Sequence, residues 1–380
     1  MATGVYDPTT SFDLTTGVII DMDPAIYELS PIDSPMINGV DADGTMILPS
    51  RPVGQTLFNW LDDQVLTPRT TLAALLVTAT AFVTVASGHQ TRFSTGDILY
   101  LGQQNVERLR VTGYGTTADT LTVTRSYGAA AATTHASGDF VYQVGLALAE
   151  GTDPENARVT DRTDNSNRTQ IFGPTKVRLS RTEQQVRKYG ISNEFAHQLG
   201  QRTKENVISR EHAFLYGELI NDTGNKWRST DGIINRLTTN VEATSTELNV
   251  ANIQGIQQTV YNSGGNPDLL MCNPASLDDL NSITDTGIVR VNNVDTMRGR
   301  RRVTVVSTEF GEVSVVRNRW MYSADAILMT QGNTIRRVMT PLRAVPLAKT
   351  GDSDSMMIVA EEGLEHRGEE HSAKFSALSY

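Results

Sequence analysis

The longest regular pattern of apolar and polar positions lies between Ser192 and Ile220. Apolar residues recur there at gaps close to multiples of 3.6, at Phe195, Leu199, Val207, Ile208, Phe214, Leu215 and Leu219. Charged residues fill the other side: Arg202, Lys204, Glu205, Arg210 and Glu211. Ser192 suits an N-cap and Gly224 a stop signal. The pattern predicts one amphipathic helix about 40 Å long, whose apolar side needs a partner along its whole length.

Short alternating segments follow one another between Phe93 and Gly145. They read TGDILYLG, ERLRVTGYG, DTLTVTRSYG and GDFVYQVG, and each is bounded by glycine and other turn residues. Such even spacing is typical of a small β-barrel or sandwich. The apolar stretches 72–85 and 146–149 flank this module, and they predict two strands that carry it as an insertion within a hairpin.

Helix and strand patterns alternate after Gly224. A helix is predicted from Val250 to Tyr261, a buried strand over 268–273, and further strands over 303–306, 311–316 and 326–330. From Thr334 onward the sequence predicts two or three long antiparallel strands with a turn at 351–353. The fold class is therefore α+β, with a core of packed helices and sheets.

The first 72 residues contain seven prolines and only short apolar islands, the last of which includes Trp60. This composition predicts an extended arm that packs against its own body or another copy of the chain. Ten acidic residues and one base lie before residue 67, so the arm carries nine of the ten net negative charges of the chain. Its acidic residues include Asp21, Asp23, Asp41 and Asp43.

A basic run of arginines lies late in the chain, at Arg298, Arg300, Arg301 and Arg302, with Arg336, Arg337 and Arg343 further on. Guanidinium groups fit phosphates, but the run contains no aromatic residue and the sequence pI is 5.2. We expect these arginines to pair with carboxylates of an adjacent subunit, for which the acidic arm is a candidate, in preference to nucleic acid.

Motifs for catalysis and metal binding are weak. His366 and His371 match no zinc-binding spacing and favour a solvated polar loop, and Cys272 lies in an apolar run typical of a buried small side chain. No P-loop, G-x-S-x-G or CxxC motif occurs. Nor does any run of 18 apolar residues or a signal-peptide pattern, so we expect synthesis in a cytoplasm and no membrane partner. No cofactor is predicted.

The order of these elements resembles the major capsid proteins of tailed bacteriophages, which share the shell fold named after phage HK-ninety-seven. The segment ISNEFAHQLGQRTKENVISREHAFLYG looks like the spine helix of that family. TEFGEVSVVRNRWM and LAKTGDSDSMMIVAEEGLEHRGEEHSAKFSAL look like its closing segments. GDILYLG and VTRSYGAAAATTHASGDFV are similar to a small β-module inserted in phage head proteins.

The resemblance implies a division of the chain into an N-terminal arm, an extended loop, a peripheral domain and an axial domain. The arm covers 1–72, the extended loop 73–165 with its β-module over about 93–145, and the peripheral domain 166–227 with the spine helix over about 192–220. The axial domain covers 228–300, and strands in 301–380 complete both domains.

The implied function is structural. Pentamers and hexamers of one chain would form an icosahedral phage head around double-stranded DNA, assembled in the host cytoplasm with portal, scaffold or decoration proteins as partners. An encapsulin-like compartment shares the fold, and an enzyme with a site built from separate segments is the remaining alternative. We expect contacts between subunits at Asp21, Asp23, Asp41, Asp43, Trp60, Arg202, Lys204, Arg298, Arg300, Arg301 and Arg302.

Overall fold

The structure is a computed structural model, and it describes residues 33–39, 46–63, 69–102, 106–151, 162–188, 190–277, 280, 289–291 and 303–379. Its helices in chain order are α1 (Pro35–Asn38), α2 (Arg181–Gln185), α3 (Glu194–Tyr216), α4 (Ile233–Arg236) and α5 (Val250–Asn262). Helix α2 is capped by Ser180, whose hydroxyl accepts a hydrogen bond from the backbone amide of Glu183.

Strands make up most of the regular structure. In chain order they are β1 (Ser50–Pro52), β2 (Leu57–Asp63), β3 (Arg69–Thr71), β4 (Phe82–Thr84), β5 (Asp97–Leu101), β6 (Glu107–Tyr114), β7 (Thr120–Thr124), β8 (Phe140–Leu146), β9 (Arg162–Arg168), β10 (Gln170–Ser180), β11 (Ile220–Asp222), β12 (Trp227–Ser229), β13 (Val241–Glu242), β14 (Leu269–Cys272), β15 (Val289–Val291), β16 (Val303–Thr308), β17 (Gly311–Arg317), β18 (Ala326–Met329), β19 (Thr334–Pro346), β20 (Ser353–His366) and β21 (Ala373–Phe375).

The chain divides into two compact units. The first combines residues 1–60 with 166–380, and the second covers 61–165. Strands β2 and β9 form a two-stranded sheet and lead the chain into and out of the second unit. The predicted late strands are present as the long antiparallel pair β19 and β20.

Two sheets organise the first unit. A four-stranded sheet has the order β1-β19-β20-β10, and a mixed seven-stranded sheet has the order β13-β21-β18-β14-β17-β16-β15. Strand β14 is buried at every position, as its continuous apolar run predicts, and Cys272 lies in it as a buried free thiol. Helix α5 packs its buried residues Ile253, Ile256 and Val260 into the core beside this strand.

The long helix α3 is shorter than predicted, because it ends at Tyr216. Gly217 ends it, and the Gly232 amide donates a 2.8 Å hydrogen bond to the Gly217 carbonyl. A Cβ atom at Gly217 would lie 2.5 Å from the carbonyl oxygen of Thr230, so the two segments approach too closely for a side chain. Leu219 and Ile220 therefore lie exposed near the β11–β12 hairpin instead of extending the apolar side of the helix.

The burial of α3 differs from expectation at two charged residues of its second half. All of its buried residues lie in the second half: Asn206, Arg210, Glu211, Phe214 and Leu215. Two of these residues were predicted to be on the exposed polar side. They are buried because this half of the helix packs against the body of the unit, where other side chains and backbone groups supply their polar partners. Phe195 and Leu199, in the first half, are only partly buried.

The described residues of the arm pack into the body of the first unit. Met36, Ile37, Ile47 and Leu48 are at most 1% exposed and lie in one core cluster with Phe214 and Leu215. Strand β1 pairs in parallel with β19. Deletion of residues 1–60 would therefore remove side chains of this core.

The second unit contains a β-barrel. Its six strands have the order β3-β8-β5-β6-β7-β4, and a bridge between Leu72 and Val85 joins the two end strands. The interior is filled by a separate apolar cluster that includes Leu99, Val111 and Leu121. The barrel uses β3 and β4 as wall strands, so it begins before residue 93.

Candidate functional site

Strand β20 carries three carboxylates that pair with arginines of the same chain. Glu361 accepts a hydrogen bond from Arg228, and Glu365 from both Arg337 and Arg367. Between them, Glu362 binds Arg210 of α3, whose Nη1 lies 2.8 Å and 2.9 Å from the two carboxylate oxygens. Since Arg210 and Glu362 are 4% and 2% exposed, this is a buried ion pair that ties α3 to the four-stranded sheet.

These pairs correct one expectation for the basic constellation. Arg337 forms an ion pair with Glu365, and Nη1 of Arg336 lies 3.9 Å from a carboxylate oxygen of Glu362. Both arginines therefore have acidic partners in their own subunit. Arg343 is exposed. The prediction treated a sequence of arginines as one surface, but β19 pairs with β20, and β20 carries Glu362 and Glu365 within reach of Arg336 and Arg337.

The predicted contact residues differ in whether the structure describes them and in how exposed they are. Asp21, Asp23, Asp41, Asp43, Arg298, Arg300, Arg301 and Arg302 lie outside the described residues. Trp60 is 7% exposed, and the guanidinium carbon of Arg236 lies 4.5 Å from its ring centroid. Arg202 is exposed and pairs with Glu205, and Lys204 is partly buried. Arg202 and Lys204 lie two residues apart on the first half of α3, a spacing at which side chains do not face each other.

The first half of α3 borders a groove on the surface of the first unit. The groove has a volume of about 260 Å³ and is lined by Lys176, Val177, Arg178, Leu179, Glu183, Glu194, Gln198 and Arg202. One wall is strand β10 and the other is the helix. Lys188 forms ion pairs with two of these acidic residues: its Nζ lies 3.3 Å from a carboxylate oxygen of Glu194 and also contacts the carboxylate of Glu183. The groove therefore combines charges of both signs with two apolar side chains of β10, Val177 and Leu179.

A buried charged cluster holds the barrel of the second unit together. Glu107 is fully buried, and its two oxygens accept hydrogen bonds from Arg125 at 2.7 Å and 2.6 Å and from the backbone amides of Ser126 and Thr133. His135 Nε2 lies 3.2 Å from the same carboxylate. Burial alone would raise the pKa of Glu107, but the bonds from Arg125 and the two amides outweigh it and hold the pKa at about 2.

His366 ends β20 inside the protein and not in a solvated loop as its sequence suggests. Its Nδ1 lies 2.8 Å from the Thr334 hydroxyl, and the ring is 1% exposed. Burial, together with the nearby charge of Arg236 and the neighbouring His371, lowers the pKa of His366 to about 3. The imidazole is therefore neutral at pH 7.

The first testable prediction is a pH dependence of folding. Because the pKa of His366 is lower in the folded state than its usual 6.5, the unfolded state binds the proton first, and stability falls as the pH is lowered from 6.5 towards 3. The expected slope from this one group is about 1.4 kcal/mol per pH unit. Urea unfolding of the isolated subunit at pH 7, 6 and 5 measures it.

His366→Gln should flatten this slope, whereas His197→Gln, in the first half of α3, should leave it unchanged. Between pH 7 and 5 few carboxylates titrate in the unfolded chain, so the difference between the two variants isolates the histidine. Equal slopes in both variants would contradict the prediction.

Metal ligands and the one cysteine are candidate chemical groups. Among the described residues, no group of three or more His, Cys, Asp or Glu side chains is placed to hold a metal ion. Burial raises the pKa of the Cys272 thiol to about 12, so this cysteine is an inert core residue. Within the same residues, no helix is both long enough and apolar enough to cross a membrane.

Sequence reasoning missed the buried charges of Glu107, Arg210, Glu211 and Glu362. Hydrophobic periodicity assigns a charged residue to the surface, and nothing local distinguishes a paired buried charge from a solvated one. The one local signal of burial is that Arg210 and Glu211 lie one helical turn before the apolar residues Phe214 and Leu215, on the same side of the helix.

Comparison with known proteins agrees with this architecture. Residues 5–379 match the family described as SU10 major capsid protein. No curated protein gives a significant sequence match. Among solved structures, one of Microbacterium phage Oxtober96 has a TM-score of 0.53 at 10% identity and covers 97% of this chain and 98% of its own.

Two further structures are similar over nearly the whole chain. The capsid of a native GTA particle has a TM-score of 0.53 at 9% identity and covers 98% of this chain and 99% of its own. The capsid of Myoviridae Phage XM1 has a TM-score of 0.50 at 10% identity, with 96% and 100% covered. Likeness at such low identity establishes the fold alone, which is the α+β fold of phage capsid proteins expected from the sequence.

The family match establishes more than the fold, because it spans almost the entire sequence. It indicates a structural role and self-association into a shell as a virion component. The chain belongs to the SU10 major capsid protein family.

Proposed function

We propose that this protein assembles as pentamers and hexamers into an icosahedral head that encloses double-stranded DNA, in the cytoplasm of a bacterial host. Portal, scaffold or decoration proteins would complete the particle. The observation that carries the proposal is the first half of α3. It holds Phe195 and Leu199 in a long amphipathic helix, yet none of its residues up to Glu205 is buried within the chain. Such a surface is explained by a neighbouring copy.

The proposed domain roles follow the sequence order. The arm is 1–72, the extended loop 73–165 with a β-module near 93–145, the peripheral domain 166–227 with a spine helix near 192–220, and the axial domain 228–300. Residues 301–380 complete the last two. Two features support this division: the barrel belongs to a separate compact unit, and α3 packs on β10 and β20.

Contacts between copies are proposed to join charges of opposite sign. The acidic residues Asp21, Asp23, Asp41 and Asp43 would face basic residues of a neighbour: Arg202, Lys204, Arg298, Arg300, Arg301 and Arg302. The strongly uneven charge along the chain supports this pairing, since it gives one end of each copy an excess of acid. Trp60 would contribute through the packing of the arm.

The second testable prediction concerns assembly. Leu199→Asp should leave the isolated subunit folded, because the side chain is only partly buried, but should reduce particle yield by about 10-fold or more, since it places a charge in the proposed interface. Size-exclusion chromatography and negative-stain electron microscopy measure the yield, and circular dichroism measures folding.

Ser209→Asp is the matched control, because Ser209 is exposed in the second half of the same helix. Particles should form normally in this variant. Normal assembly of Leu199→Asp, or a subunit that stays monomeric under all salt and concentration conditions without any substitution, would remove the basis of the proposal.

The main alternative is a compartment of the same fold that holds protein cargo. Particles isolated from a producing host distinguish the two, because nuclease-protected double-stranded DNA is expected only in a phage head. The membership of the chain in a major capsid protein family favours the phage head.

A further inference from the structure

The segment 33–39, called the anchor segment here, is held by one buried carboxylate of the long helix. Glu211 accepts a 2.7 Å hydrogen bond from the backbone amide of Met36 and a 3.0 Å bond from that of Ile37. A third bond, of 2.7 Å, comes from the side-chain amide of Asn318. Glu211 is fully buried, and the three groups that contact its carboxylate are all N–H donors.

The carboxylate of Glu211 is costly to bury. Burial raises its pKa, while the bonds from Met36, Ile37 and Asn318 lower it, and the nearby charge of Asp33 raises it further. Arg210, the neighbouring residue, is engaged by Glu362. A side chain needed only to fill space would be apolar here, so the charge is explained by what it holds.

Other contacts reinforce the same segment. The indole Nε1 of Trp320 donates a 2.7 Å hydrogen bond to the carbonyl oxygen of Asp33, and Nε of Arg319 lies 2.9 Å from the Asp33 carboxylate. Met36 and Ile37 insert into the core at the same place. Arg319 and Trp320 therefore bind the first residue of the anchor segment, and Glu211 binds the backbone of the two residues in its middle.

We propose that Glu211 and Asn318 form a latch that fixes the anchor segment of the N-terminal arm to the long helix. Both are positioning residues: Glu211 holds the backbone amides of Met36 and Ile37, and Asn318 holds the Glu211 carboxylate. The importance of this for assembly rests on the proposed function, in which the arm of one copy reaches another.

Glu211→Gln tests the latch directly. Glutamine keeps the shape but has one acceptor oxygen where the carboxylate has two, so one backbone amide of the anchor segment loses its partner. In hydrogen exchange with mass spectrometry on the unassembled subunit, peptides covering 33–39 should exchange about 10-fold faster or more, while peptides from 250–262 keep their protection. Glu205→Gln, exposed on the same helix, should change neither.

Asn318→Asp supplies an independent second variant. It replaces the N–H donor by a carboxylate against Glu211, so the anchor segment should again exchange faster.

The outcomes separate the latch from the assembly hypothesis. Unchanged exchange of 33–39 in both single variants would overturn the latch, and so would loss of protection throughout the unit, because Glu211 would then be a general core residue. Faster exchange of 33–39 with normal particle formation would establish the latch and overturn the role of the arm in assembly.

Discussion

Replacing Arg210 with alanine should lower the free energy of unfolding of the isolated subunit by about 3–5 kcal/mol. The change leaves Glu362, which is 2% exposed, as a buried carboxylate without its main partner. Arg336 stands 3.9 Å away and is too distant to replace the two short bonds. The measurement is urea unfolding of the unassembled protein, followed by tryptophan fluorescence.

Arg202→Ala is the matched control for this experiment. Arg202 lies on the same helix and also pairs with a glutamate, but the pair is exposed, so the expected loss is about 0–1 kcal/mol. The double variant Arg210→Met with Glu362→Leu should recover much of the stability, because it removes both charges together. Similar losses for Arg210→Ala and Arg202→Ala would mean that the buried pair does not tie the helix to the sheet.

Replacing Glu107 with glutamine should open the barrel of the second unit and leave the first unit folded. The carboxylate accepts five close contacts from Arg125, Ser126, Thr133 and His135, and Arg125 also donates to the carbonyls of Val77, Thr80 and Thr133. Glutamine keeps one acceptor oxygen but removes the negative charge that faces the Arg125 guanidinium, and breaking a buried pair costs about 3–5 kcal/mol. Hydrogen exchange of peptides from 97–124 measures the effect, with peptides from 250–262 as the internal reference.

Glu150→Gln, an exposed site in the same unit, should leave the exchange unchanged. The effect of Glu107→Gln should also depend on pH with a definite sign. Since the folded pKa of Glu107 is about 2 and its usual value is 4.5, its contribution is fully present above 4.5 and is lost as the pH falls towards 2. The natural protein and the variant should therefore converge in barrel stability below pH 3. A difference that persisted there would exclude the carboxylate charge as the cause.

Hydrophobic periodicity predicted the larger elements well. The helices near 192–220 and 250–261, the buried strand around Leu269–Cys272 and the long late strands are all present. Each is long or strongly patterned, so local propensity and burial point to the same structure. The capsid resemblance is likewise confirmed by the family match over residues 5–379.

Details that depend on distant segments were predicted less well. Helix α3 ends at Tyr216 and not at the predicted Ile220, because the backbone amide of Gly232 donates a hydrogen bond to the carbonyl of Gly217. The barrel gained β3 and β4 because they pair with β8 and β7, and Leu72 bridges Val85 beside them. The role of Arg202 and Lys204 between copies stays a prediction.

The sequence by itself determined the class of fold, the presence of the long helix and the acidic character of the first part of the chain. These properties follow from residue type and spacing, which act over a few turns of backbone. Only the tertiary structure decided which charges are buried. Three buried charged residues have the same local sequence pattern as solvated ones, and each is buried with a partner that is not its neighbour in the sequence. Arg210 pairs with Glu362, Glu211 accepts from the Met36 amide, and Glu107 accepts from Arg125.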